Sequence, residues 1–204
     1  MFSLNQAHKK DHEAWHSEQQ YTAQTYWDHW RFLNRNYWKA GFYRRLARLA
    51  SRVLDVPFDV ATEIEFATTQ MVFVELAPYS SRGFRFDANT LAILADEDRG
   101  FRVAAEVRRI LIEGASPALV LVNGVGAIND FERLSGDRAR LEIRRYASTQ
   151  RPNHMLWHKE GVYQSAGDPI PVVGFPFRTP STHNSYAEID QLAGMARALL
   201  GDAH

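Results

Sequence analysis

The apolar positions of this chain change spacing near residue 57. From about Tyr37 to Leu54 they recur every three or four residues (Trp38, Phe42, Leu46, Leu49, Val53), the stripe of a helix with one buried face. Asp55-Val56-Pro57 ends that helix, because proline disfavours helical backbone at the residue before it. Beyond it, short apolar runs alternate with helical stretches. Gln70 to Leu76 reads as a strand stopped by Ala77-Pro78-Tyr79, and Phe101 to Glu113 as a helix with Val103, Val107, Ile110 and Leu111 turned inward. Ala118 to Val122 is an unalternating apolar strand of the kind buried on both faces, and Asn123-Gly124-Val125-Gly126 turns it into a short helix reaching about Leu134. Leu141 to Tyr146 alternates as a half-buried strand does, Met155 to Gln164 suggests a hairpin around Lys159-Glu160-Gly161, and Pro171 to Phe175 is a further strand. The last helix, about Tyr186 to Leu200, opens with the capping-box pair Ser185 and Glu188.

This order predicts a three-layer α/β/α domain with a mainly parallel central sheet over residues 58–204, preceded by a helical N-terminal arm over residues 1–57 that packs on the core. The arm carries an unusual aromatic load, including Trp15, Trp27, Trp30 and Trp38 of the five tryptophans in the chain. Such side chains suit packing on the parent domain, on a second copy of the chain or on another protein.

Composition narrows the chemistry. With 204 residues, 24 basic and 24 acidic side chains and no cysteine, disulfides, cysteine metal sites and a cysteine nucleophile are excluded. No apolar run reaches the ~18–20 residues of a membrane span, and the first residues lack a secretion signal, so a cytoplasmic protein without membrane association is expected. There is no Gly-x-Ser-x-Gly elbow and no Walker A loop. His8, His12 and His16 recur at four-residue spacing and share one helical face, with Asp11 and Glu13 beside them, so a surface metal site is conceivable in this peripheral segment; neither a physiological metal nor a cofactor is expected. Arg44, Arg48 and Arg52 form a basic stripe that suits either a nucleic-acid backbone or a solvated face with ion pairs.

Ligands of open parallel sheets bind outside the carboxyl ends of the strands. Three loops qualify: residues 75–84, 123–126 and 178–185, all rich in small polar residues, glycine or proline. Pro78-Tyr79 directly after an apolar strand, with Thr179-Pro180-Ser181 and Ser185 after the final strand, resembles the uracil-DNA glycosylase superfamily, as does the stretch Leu119 to Ala127. The resemblance spans roughly residues 70–200 and implies a site for a nucleobase, nucleotide or DNA. Where that family places a water-activating Asp and a His supporting the leaving base, this chain has Ala77 and Thr179. Glu75 and His183 lie close by and are the candidate catalytic pair, Glu75 to position water and His183 to stabilise the departing base. Pro78, Tyr79, Ser80, Arg82, Phe84, Asn123, Ser181 and Asn184 are the candidate binding residues, with Tyr79 or Phe84 stacking and Asn123 or Asn184 reading the base edge. Two other readings stand beside this one: a non-catalytic interaction protein, favoured by the two replacements, and a small-molecule enzyme of unrelated α/β type.

Overall fold

The computed structural model describes residues 2–3, 42–59, 66–67, 69–72, 74–75, 88–176 and 185–202. These form five helices, α1 (Phe42–Val53), α2 (Ala88–Glu97), α3 (Arg99–Ala115), α4 (Val125–Ser135) and α5 (Tyr186–Asp202), among the described residues. The strands are β1 (Phe2–Ser3), β2 (Val74–Glu75), β3 (Val120–Asn123), β4 (Ala139–Ala147), β5 (Met155–Tyr163) and β6 (Ile170–Phe175).

They make one open sheet in the order β2-β1-β3-β6-β5-β4. The pairs β1–β2, β1–β3 and β3–β6 are parallel, whereas β5 pairs antiparallel with both β6 and β4. The sheet is therefore mixed rather than mainly parallel. The reason lies in β5. The Lys159-Glu160-Gly161 segment is not a turn: Met155 to Tyr163 runs as one continuous strand, and the chain reverses before it, over residues 148–154. In that turn Ser148 N donates to His154 O at 2.8 Å and His154 N to Arg151 O at 3.0 Å.

Alternate residues of β3 and β6 feed two apolar clusters. Leu121, Val173 and Phe175 join Leu46, Leu49 and Val53 of α1 and Ile189, Leu192 and Ala196 of α5. Val120, Val122 and Val172 join Ala127, Ile128 and Phe131 of α4, with Ile112 of α3. Period-two side-chain direction explains the split. The stripe expected for the first helix is buried at Leu46, Leu49 and Val53. The inward face assigned to the middle helix needs correction: Val103, Val107 and Ile110 of α3 are exposed, while Phe101, Arg108 and Ile112 are buried. Asp98 caps α3 by accepting from Phe101 N at 3.0 Å, so the helix starts two residues earlier than its apolar pattern; its buried face is set by packing, with Ile112 seated in the cluster of β3 and α4. α2 was not expected from periodicity, because the run Leu91-Ala92-Ile93-Leu94-Ala95 is too continuous to show a helical period.

Two members of the basic stripe of α1, Arg48 and Arg52, meet α5. Arg48 donates to both carboxylate oxygens of Asp190, at 2.8 and 2.6 Å, and lies 4.9 Å over the Tyr186 ring; Arg52 is 3.8 Å from Asp190. These contacts join the two helices and account for Arg48 and Arg52 structurally. No described helix is long and apolar enough to cross a membrane. His8, His12 and His16 lie outside the described residues.

Candidate functional site

The parallel strands end in one row. Ser3 pairs with Glu75 on one side and with Asn123 on the other, and Asn123 pairs with Phe175. Residues 75, 123 and 175, distant in sequence, thus stand level along a single carboxyl rim. The backbone of Glu75 is described and its side chain is not. Pro78, Tyr79, Ser80, Arg82, Phe84, Ser181, His183 and Asn184 lie outside the described residues; the last three belong to the segment that joins β6 to α5.

Gly124 makes the exit from β3. Its φ of +104° is open to glycine and strained for other residues, and its amide donates to Phe175 O at 2.9 Å, fastening the turn to the neighbouring strand. Its carbonyl accepts from Ile128 N at 2.9 Å, starting α4. This geometry fixes Asn123 at the strand end, 7% exposed, with a buried Oδ1 that has no hydrogen-bond partner among the described residues. Buried carbonyl oxygens of this kind are uncommon in native proteins.

The antiparallel half of the sheet adds a cluster that sequence reasoning missed. Glu160 pairs with Val173 and so shares the face of the α1–α5 cluster; His158, two residues away on the same strand, shares it too. Phe175 and His158 each lie one step beyond the Gly174–Lys159 pair, which sets Asn123 and His158 two strand spacings apart, about 10 Å, with Phe175 between them. His158 is fully buried, its Nε2 2.7 Å from Glu160 Oε2, and Arg144 Nε donates to Glu160 Oε1 at 2.6 Å. Burial lowers the His158 pKa, outweighing the pull of Glu160. Glu160 is itself held below the usual carboxylate range: its burial acts upward, but the combined hydrogen bonds and charges of His158 and Arg144 outweigh it. A neutral imidazole beside an ionised carboxylate carries its proton on Nε2, leaving Nδ1 as an acceptor. That Nδ1 is buried and has no partner among the described residues.

Above the hairpin, the start of α5 contributes Glu188, 1% exposed. It accepts from Ser148 Oγ, from Arg151 Nε at 2.7 Å and from Ser185 N at 3.3 Å, while its own amide donates to Ser185 Oγ at 3.1 Å. The capping box read from the sequence is therefore formed, and its carboxylate also ties the helix to the β4–β5 turn. Tyr146 packs edge-on against His158, ring centroids 5.5 Å apart. Burial first, then Glu188 and Glu160, raise its pKa and keep the phenol protonated.

The site thus offers two buried acceptors, Asn123 Oδ1 and His158 Nδ1, on one face of the sheet. The spacing His158-x-Glu160 on a strand was the readable signal for this cluster, since residues two apart share a face. Three cavities lined by described residues, of about 330, 420 and 660 Å³, include none of Glu75, Asn123, His158 and Phe175 in their walls, although the second reaches Val74, next to Glu75. No group of three or more potential metal-ligating side chains occurs among the described residues.

Comparison with protein-family models, curated proteins and solved structures gives no match to this chain.

Proposed function

We propose that the protein binds a nucleobase, free or at an exposed position of DNA, at the carboxyl rim of its parallel strands, on a three-layer fold resembling the uracil-DNA glycosylases. The observation that carries the reading is the Glu75–Ser3–Asn123–Phe175 row, with Asn123 buried and its carbonyl oxygen without a donor among the described residues. A buried acceptor at a strand end is answered by a ligand N–H, and base edges supply such donors. The second acceptor, His158 Nδ1, favours the same donor-rich class of ligand. The three-layer arrangement is supported by the two clusters fed by alternate residues of β3 and β6.

Base excision would need Glu75 to position water for attack at the sugar carbon while the N-glycosidic bond breaks and its electron pair leaves with the base, supported by His183. Ala77 and Thr179, in place of the family's Asp and His, favour a second reading, binding without excision.

One experiment separates the outcomes. Oligonucleotides carrying several damaged bases are assayed for retention at rising salt and for base release, with the full chain and with Asn123→Leu and Glu75→Gln. Retention that drops at least tenfold in Asn123→Leu supports the rim. Base release lost in Glu75→Gln supports excision, and retention without release selects the binding role. Equal retention by Asn123→Leu and the natural chain overturns the rim assignment.

A further inference from the structure

A second site lies at the other end of the sheet. A cavity of about 330 Å³ between α3 and α4 is walled by Arg102, Arg108, Arg109 and Arg138. Its floor is apolar, formed by Ile112, Phe131 and Leu134. It adjoins Tyr163, the last residue of β5, which pairs with Ile170 at the start of β6. The rim residue Phe175 lies five residues further along β6, about 17 Å away.

The arginines are held in place by the fold. Arg109 donates to both oxygens of Glu106, at 2.9 and 2.6 Å, and to Glu113 at 2.5 Å; Arg138 donates to Glu113 and reaches Tyr163 Oη at 3.4 Å. Arg102 donates to the carbonyls of Asp96 and Glu97 at the end of α2, at 2.6 and 3.2 Å, so it meets only partial negative charge. Arg108 is 5% exposed, and burial pulls its pKa down to about 10 against the attraction of Asp130. Asp130 is itself engaged by Arg133 at 3.5 Å. The four guanidiniums, together with Arg133, face three carboxylates, Glu106, Glu113 and Asp130, which leaves an excess of positive charge around a half-open cavity.

We propose that this cavity binds a phosphorylated small molecule, its phosphate held by the arginines and its apolar part resting on Ile112, Phe131 and Leu134. A phosphate monoester carries ≈ −1.5 to −2 charge at pH 7 and presents three acceptor oxygens, matching forked guanidinium donors better than a single carboxylate does. The volume falls within the range of small-ligand pockets. This site is independent of the rim, and either assignment stands or falls alone.

Calorimetric titration of the full chain with phenyl phosphate and with inorganic phosphate tests it. Saturable binding is expected, with phenyl phosphate at least threefold tighter because of the apolar floor. Arg102→Gln with Arg109→Gln should weaken phenyl phosphate tenfold or more, whereas Arg140→Gln, at an exposed arginine of β4 outside the cavity, should leave it unchanged. Leu134→Glu, which adds a carboxylate at the floor and removes no ion pair, should weaken it as much and guards against misfolding of the double variant. Absence of saturable binding, or an equal loss in Arg140→Gln, overturns the site. Equal affinity for the two probes overturns the apolar part of the assignment.

Discussion

Asn123 pairs with Phe175 across β3 and β6, and the next amide, that of Gly124, donates to the carbonyl of Phe175 at 2.9 Å. The backbone around Asn123 is fully engaged while its side-chain oxygen is buried without a partner among the described residues. A residue kept for stability alone would not pay this desolvation cost, so Asn123→Leu is expected to stabilise the fold by about 1 kcal/mol while weakening ligand retention. Urea denaturation measures the first effect and oligonucleotide retention the second. A loss of stability of similar size would assign Asn123 a structural role.

Gly174 and Gly161 predict two different costs. A Cβ on Gly174 would stand 2.8 Å from Ile128 Cγ1, a side chain with some freedom to move, so Gly174→Ala should cost about 1–3 kcal/mol and be partly rescued by Ile128→Val. A Cβ on Gly161 would run into the backbone oxygen of Arg140, which cannot step aside without breaking the β4–β5 ladder. Gly161→Ala should therefore cost at least about 3 kcal/mol. Thermal or urea midpoints of the three variants check the order.

Glu188 joins the start of α5 to the β4–β5 turn at a single buried carboxylate. Glu188→Gln keeps its shape and weakens charge-assisted bonds to Ser148 and Arg151, at an expected cost of about 1–3 kcal/mol. Glu188→Ala removes the buried carboxylate that accepts from Arg151 and Ser148 and should cost about 3–5 kcal/mol. Equal midpoints for Glu188→Gln and the natural chain would mean that the helix cap carries the whole contribution.

His158 links stability to pH. Burial lowers its pKa in the folded state, so the unfolded chain takes up the proton first as pH falls. The stability present above the unfolded value near 6.5 is therefore lost progressively as pH drops below it, toward the lower folded value. Glu160, also lowered, acts in the same direction but only below its own unfolded value near 4.5. Denaturation midpoints between pH 7 and pH 5 should fall in the natural chain and fall less in His158→Gln. Parallel slopes would remove His158 from the pH response.

The sequence by itself determined what depends on neighbours along the chain. The stripe Leu46, Leu49 and Val53, the buried run Val120 to Val122, the glycine turn after Asn123 and the Ser185–Glu188 cap are each set within a few residues by period, turn chemistry or capping. The face that α3 buries was misread, because Val103, Val107 and Ile110 fit a helical period as well as Phe101, Arg108 and Ile112 do once arginine is admitted to the interior. The direction of β5 was also hidden, since Lys159-Glu160-Gly161 has turn composition and only pairing with β4 and β6 on both sides holds it extended. Strand pairing is long-range, and no local pattern encodes which strand lies beside which. Tertiary structure alone brought Glu75, Asn123 and Phe175 level, set His158 on the same face, and gathered four arginines around a cavity, because those relations are fixed by sheet register and helix packing across the molecule.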